Sequence, residues 1–231
     1  MEERGVAVPP TKGTEPPLPV SGTGDIGKGT GGNVPPQPTI RTRRLSLRPF
    51  TLADAGEVQR LGGDAEVSAT ALHVPYPMDL DAAVSWIRSH SAEYGAGTLA
   101  AFAIASAREG SLFGTVGLMI EPEHARAELG YWLGKPFWGR GYATEAATEV
   151  LRFGFEELHL RRIHANHLAG NPASGRVLEK VGMSPEGCLR QHAWHRGAFH
   201  DVVMYGIVRP DARSGLYATR SDELRLRGSI P

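Results

Sequence analysis

The 231-residue chain has a single cysteine, Cys188, and no excess of charge, because 25 Lys and Arg stand against 25 Asp and Glu. One thiol makes no intramolecular disulfide and no thiolate zinc cluster, so neither an oxidising compartment nor a structural metal is indicated. Zero net charge with the signs interspersed removes the electrostatic footprint of a nucleic-acid binder or a membrane-surface protein. Long apolar runs are missing too. The longest, Leu99 to Ala107, falls far short of the roughly 20 residues that cross a bilayer, and the acidic, proline-rich start lacks a signal peptide's basic-then-apolar pattern. These absences predict a cytoplasmic protein with no nucleic-acid and no membrane partner, working on a neutral or small charged partner. Cys188 is expected to be a small buried hydrophobe.

Aromatic residues are absent from residues 1–38, which hold 8 of the 17 prolines and 8 glycines. Such a stretch buries too little apolar surface to offset the entropy of ordering it, and a disordered arm is predicted. Its Gly22-Thr23-Gly24-Asp25-Ile26-Gly27 matches a dinucleotide fingerprint in form only: prolines precede it and glycines follow where a strand and a helix are required. Residues 211–231 turn polar again and read as a tail or a short docking helix. Residues 39–210 remain as one domain.

Within that domain Arg44–Arg48 alternates as a strand, and Thr51 with Asp54 starts a helix through Leu52, Ala55, Val58 and Leu61. After a break at Pro75 and Pro77, Asp79 caps a second helix with Ala83, Val84, Ile87 and Tyr94 on its apolar face. Ala100–Ser106, Leu112–Glu121 and Arg126–Leu133 read as an antiparallel meander. Thr144–Leu158 shows the strongest helical period, with Ala147, Val150, Leu151, Phe155 and Leu158 on one face. Arg162–Leu168 follows as a strand, Asn171-Pro172 opens a helix ending near Gly182, and Cys188–Trp194 with Phe199–Val208 forms a hairpin turning at Arg196-Gly197.

The chemistry concentrates in Trp138-Gly139-Arg140-Gly141-Tyr142-Ala143-Thr144, which joins a strand to a long helix. Glycines allow a sharp turn and close approach, and the free N–H groups of a first helical turn favour anions, so the loop can hold a pyrophosphate. A tight strand-to-helix turn with no ligand would use the same glycines.

This loop resembles that of the GNAT superfamily of N-acetyltransferases, whose acetyl-CoA loop has the form Gln/Arg-x-x-Gly-x-Gly/Ala. Trp138 stands at its first position, Gly141 at its fourth and Ala143 at its sixth. Tyr131-Trp132-Leu133 followed by Trp138 to Ala146 is similar to the RimJ/RimL-type branch, which acetylates protein N-terminal amines and related amines. Asn171-Pro172-Ala173-Ser174, Val177 to Met183, Glu186-Gly187-Cys188 and Asp201 to Tyr205 extend the likeness, which covers about Arg41 to Pro210.

The resemblance implies an α/β (α+β) fold with a mixed, mostly antiparallel central sheet flanked by helices. Its fourth and fifth strands, Arg126–Leu133 and Arg162–Leu168, would splay to admit the pantetheine arm. Backbone at Tyr131 and Leu133 would pair with its amides, the Leu133 N–H would polarise the thioester, and Trp138, Gly139, Arg140, Gly141, Tyr142, Ala143, Thr144, Asn171 and Ser174 would complete the acetyl-CoA site. The implied reaction is direct attack of an amine on acetyl-CoA, with no metal and no covalent enzyme intermediate; homodimerisation is left open.

Glu128 is the candidate general base, since it sits on the strand beside the thioester, but a surface glutamate or an ion pair with Arg126 is equally open. Leu178 stands where many relatives have a thiol-protonating tyrosine, so Ser174 becomes the candidate donor to the departing thiolate, a CoA contact or a first-turn hydroxyl. A glutamate that follows the Glu-Gly-Cys motif in RimL-type enzymes is replaced by Ala193. His164 with His167, and His192 with His195, are spaced by three, which on strands turns the members of each pair to opposite faces and removes a metal site. His192, His195 or His200 could instead line an acceptor pocket. The acceptor is expected to be a protein or peptide N-terminus; a small-molecule amine, or a non-catalytic acyl-CoA-binding module, are the alternatives.

Overall fold

The structure is a computed structural model that describes residues 35–72, 74 and 76–209. The arm up to residue 34 with its Gly22–Gly27 motif, the break at Pro75 and the tail from Pro210 lie outside the described residues. Gln37 precedes the expected domain start, yet its Nε2 donates to the Ala101 carbonyl at 2.8 Å.

Eight strands form one sheet in the order β1-β2-β3-β4-β5-β6-β8-β7. They are β1 (Ile40–Arg41), β2 (Leu45–Arg48), β3 (Leu99–Ser106), β4 (Leu112–Glu121), β5 (Arg126–Leu133), β6 (Arg162–Leu168), β7 (Ser184–His195) and β8 (Ala198–Val208). Every neighbouring pair is antiparallel except β5 with β6, so the meander β3–β4–β5 is as its short polar links require. The helices are α1 (Ala55–Gly62), α2 (Ala65–Thr70), α3 (Leu80–Gly95), α4 (Tyr142–Glu156) and α5 (Pro172–Lys180).

Alternation along the strands divides the core into two layers. Ala100, Phe102, Val116, Leu118 and Leu129 pack against Val150, Leu151 and Leu178 of α4 and α5. Ala103 and Trp132 face the other way, against Val58, Leu61, Val67, Ala83 and Ile87 of α1, α2 and α3. The α4 stripe buries Ala147, Val150, Leu151 and Phe155 as the periodicity predicts, and Leu151→Ala would cost about 2–5 kcal/mol.

Several elements depart from the sequence reading. The first helix is a 3-10 turn over Leu52–Asp54 before α1, with Asp54 Oδ2 accepting from Thr51 N–H at 2.8 Å and Oδ1 from Arg48 Nη2 at 2.7 Å. The extra helix α2 starts where Asp64 accepts from the N–H groups of Glu66 and Val67. Strand β1 also has no counterpart among the predicted elements, and it moves the two splaying strands to β5 and β6. The last hairpin is longer than expected and its β7 is almost wholly exposed, with irregular pairing at Pro185/Gly187 and Leu189/Ala193. Cys188 is therefore exposed, not buried: it lies on an edge strand most of whose residues are open to solvent.

Candidate active site

Strands β5 and β6 pair only at Arg126↔Arg162, Ala127↔Ile163 and Glu128↔His164. Beyond that point β5 stays with β4 up to Gly114↔Leu133, and β6 stays with β8 up to Leu168↔Val202, so the two strands part. A cavity of about 470 Å³ opens there, lined from both layers of the fold. Gly134 N–H bonds Phe113 O at 2.8 Å. Alternation in an antiparallel pair then turns the N–H groups of Leu133 and Tyr131 away from β4, into the gap.

On the α4–α5 side the cavity wall carries Trp138, Gly139, Gly141, Tyr142, Ala143 and Thr144. Gly139 and Gly141 have φ of 71° and 76°, the left-handed region that glycine enters without a Cβ penalty. Gly141 is the N-cap of α4 and offers no side-chain cap, and the first helical bond runs from Glu145 N–H to Gly141 O. The N–H groups of Tyr142, Ala143 and Thr144 therefore have no intrahelical acceptor and point outward with the positive end of the helix dipole. Arg176 and Lys180 line the same side.

A clamp behind the loop fixes its shape. Glu145 accepts from Thr42 Oγ1 at 2.6 Å, Arg44 N–H at 2.9 Å and Arg44 Nε at 2.6 Å. Burial pushes the Glu145 carboxyl up, but these hydrogen bonds outweigh it and hold it below the usual carboxylate range. Arg44 Nη1 also donates to the Arg140 carbonyl at 2.9 Å, and its guanidinium lies 4.6 Å from the centre of the Tyr142 ring. Arg140 itself is not among the cavity residues, so of the loop candidates it is the one turned outward. Trp138 Nε1 donates to Leu133 O at 2.7 Å, tying the loop to the end of β5.

Tyr131 and Glu128 stand on opposite faces of β5. Tyr131 reaches α5, where its hydroxyl is 2.8 Å from Ser174 Oγ and 3.1 Å from Ser174 O. Burial pushes the Tyr131 phenol up to about 12, with the Ser174 hydrogen bond pulling weakly the other way, so it stays protonated at neutral pH. When the phenol donates to Oγ, the Ser174 hydroxyl keeps its own proton to give into the cavity. Asn171 caps α5, its Oδ1 accepting from Ser174 N–H at 3.3 Å and its Nδ2 donating to Thr70 O at 3.3 Å.

Glu128 faces the α1–α3 layer. Its Oε1 accepts from Asn166 Nδ2 at 2.7 Å, and Oε2 lies 3.6 Å from His164 Nε2. The considered pair with Arg126 does not form, because Arg126 binds Glu121 through both its Nε and Nη2. The floor on this face is bare for a reason visible in the register: Ala101, Gly117 and Gly130 stand opposite one another across β3, β4 and β5. Three residues without bulk in one row leave space beneath α3, walled by Val74, Met78, Trp86 and His90.

His164 and His167 face opposite sides as expected, and no group of metal-binding side chains occurs among the described residues. Among the described residues the histidines that line the cavity are His90 and His167, not His192, His195 or His200. His195 instead binds Ser68 O at 3.1 Å and His200 binds His195 O at 3.2 Å, which holds the hairpin to α2 and to itself. Asn166, the Tyr131 hydroxyl and His90 escaped the sequence reading. Helical spacing from Ala83 and Ile87 could have found His90, whereas the Asn166 contact depends on a long-range parallel pairing.

No helix among the described residues is long and apolar enough to cross a membrane. A sequence profile of the acetyltransferase (GNAT) domain matches residues 44–184. The chain is 33% identical over 172 residues to the "uncharacterized N-acetyltransferase p20" of Bacillus licheniformis, covering 74% of this chain and 96% of that one. Over 102 residues it is 32% identical to the ribosomal-protein-serine acetyltransferase of Escherichia coli, 44% of this chain and 57% of the relative. Its fold matches a solved structure of RimL, a ribosomal L7/L12 α-N-protein acetyltransferase in complex with coenzyme A, with TM-score 0.69 at 21% identity, covering 75% of this chain and 98% of that one.

Proposed function

The chain belongs to the GNAT family of N-acetyltransferases, and from that premise we propose that it transfers the acetyl group of acetyl-CoA directly to the α-amine at a protein or peptide N-terminus. The observation that carries this reading is a continuous cavity that passes between β5 and β6 and is lined from both layers of the fold. Its α4 side fits a pyrophosphate: an uncapped helix start at Gly141, two glycines at positive φ, and Arg176 and Lys180 nearby. Its α1–α3 side holds a carboxylate, Glu128, suited to an ammonium.

Each residue then has a separate task. The α4 N-terminus and its loop hold the phosphates, while the inward N–H groups of Tyr131 and Leu133 pair with the pantetheine arm and favour negative charge on the thioester oxygen. Glu128 takes a proton from the ammonium, the freed nitrogen bonds to the acetyl carbon, and the carbon–sulfur bond breaks. Ser174, oriented by Tyr131, gives its proton to the departing thiolate, and the second proton shed by the new amide nitrogen restores the Ser174 hydroxyl by way of solvent. An α-amine, with an ordinary pKa of about 7.7–8.0, asks less of the base than a lysine at about 10.4. That difference, together with the likeness to ribosomal-protein acetyltransferases, favours a terminal amine acting in the cytoplasm.

The test is thiol release from acetyl-CoA with a lysine-containing peptide and with the same peptide blocked at its N-terminus. Release with the free peptide only is expected. Equal release with both would assign the acceptor to the lysine ε-amine and overturn the terminal reading.

A further inference from the structure

The α1–α3 side of the cavity is chemically lopsided. Its walls are Leu72, Val74, Met78 and Trp86, its floor is the Ala101–Gly117–Gly130 row, and Glu128 is the one carboxylate among all the described lining residues. A single positive charge is matched there. A second ammonium, as in a polyamine or an aminoglycoside, would stand among apolar side chains with no counter-charge.

The far end of this chamber holds an anomaly. His90 is 5% exposed, and both of its ring nitrogens are closed from solvent and have no hydrogen-bond partner. The ring packs edge-on to Trp86 at 4.3 Å and to Phe50 at 5.4 Å between centres. Burial lowers its pKa despite the opposing charge of Glu93, so the imidazole is neutral at pH 7, with one nitrogen a donor and the other an acceptor. Leaving both unmatched is costly, and an apolar residue of similar shape would avoid that cost. A half-turn about χ2 exchanges ring carbons and nitrogens, so the ring can offer either to the chamber it lines.

The lateral separation of β5 from the strand beneath α3 sets the scale of the missing partner. Glu128 stands opposite Met119, and Met119 opposite Leu99, all on one face. Two inter-strand gaps separate the carboxylate from β3, over which α3 packs, a span of roughly 9–10 Å. Serine or alanine beside the amine falls short of it, whereas a tyrosyl or glutaminyl side chain reaches much of the way.

We infer that the acceptor is a primary amine with one positive charge whose substituent is elongated and uncharged, apolar along its stem, and ends in a hydroxyl or carboxamide that hydrogen-bonds His90. This rests on the transferase reading above and deepens it. The chemistry is shared by a peptide that begins with tyrosine and by a free arylalkylamine such as tyramine, and the experiment separates the two.

The experiment measures kcat/KM on the full chain with acetyl-CoA and peptides identical except for a first residue of Tyr, Phe, Ala or Lys, beside tyramine, phenethylamine and spermidine. Tyr over Phe, which differ by one hydroxyl, should be favoured about tenfold, the effect of one hydrogen bond to a site otherwise left unpaired. Ala-first and Lys-first peptides and spermidine should fall below Phe. His90→Leu should bring the Tyr/Phe ratio near one, while His90→Gln, which keeps a donor and an acceptor, should retain most of it. Equal rates for Tyr and Phe in the wild-type chain, or a preference for the Lys-first peptide, would overturn the inference and leave the N-terminal reading standing, whereas a preference for spermidine over every peptide would overturn both. Turnover of tyramine over phenethylamine with no peptide acetylated would uphold the chamber and overturn the N-terminal reading instead.

Discussion

Replacing Glu128 by glutamine separates a proton-accepting role from a structural one. The amide keeps an oxygen to accept from Asn166 Nδ2, now 2.7 Å from Oε1, so the fold and acetyl-CoA affinity should hold. Loss of a general base costs on the order of 10²–10⁴ in rate. His164 Nε2, 3.6 Å from Oε2, stands close enough to receive the proton in its place, which sets the expected loss at the lower end, about 10². The amine supplies the pH signature. With an ordinary pKa of about 7.7–8.0, about one α-amine in twenty is neutral at pH 6.5 and more than about nine in ten at pH 9. The defect should therefore be full at pH 6.5 and shrink roughly twentyfold by pH 9. The assay is the pH profile of kcat/KM for both proteins on one peptide, with acetyl-CoA binding followed by calorimetry. Parallel profiles, or rates within threefold throughout, would refute the assignment of Glu128 as base.

Further perturbations test the parts around it. Gly141→Val forces a β-branched residue to a φ of 76° with its Cβ about 3.5 Å from the Arg44 guanidinium, so CoA affinity by calorimetry should fall at least about tenfold through loop distortion. Glu145→Gln should lower Tm at pH 7 by about 3–6 °C. Because the folded carboxyl is held below its ordinary value, its contribution is present above that value and lost as pH falls through the lowered one, so wild-type and variant melting curves should converge as the pH is taken below the ordinary carboxylate range. Tyr131→Phe should cut kcat about five- to tenfold with acetyl-CoA affinity within twofold, and adding it to Ser174→Ala should cost nothing more, since the phenol acts through that hydroxyl.

Elements with local causes were legible in the sequence. The α4 stripe, the Asn171 cap, the meander and the Arg196-Gly197 turn all follow from periodicity or from turn and cap chemistry within a few residues. The divergence of β5 and β6 was legible only through the family resemblance, because it depends on which distant strands pair and where that pairing stops. The same limit hid Asn166 behind Glu128 and the Tyr131 hydroxyl behind Ser174, contacts 38 and 43 residues apart in sequence. Cys188 was misplaced because a hydrophobic side chain on a strand reads as buried until the sheet edge is known. The hollow beneath α3 was invisible for a related reason: Ala101, Gly117 and Gly130 are unremarkable singly and make a hollow only when the register sets them side by side.

The central claim is that one cavity through the sheet holds both substrates at once, so the acetyl group passes directly from thioester to amine. Initial rates of thiol release, with acetyl-CoA and a free-amine peptide varied together, test it most directly. Intersecting double-reciprocal lines, with no acetylated protein after incubation with acetyl-CoA alone, are predicted. Parallel lines with an acetylated protein would show a covalent enzyme intermediate and contradict direct transfer.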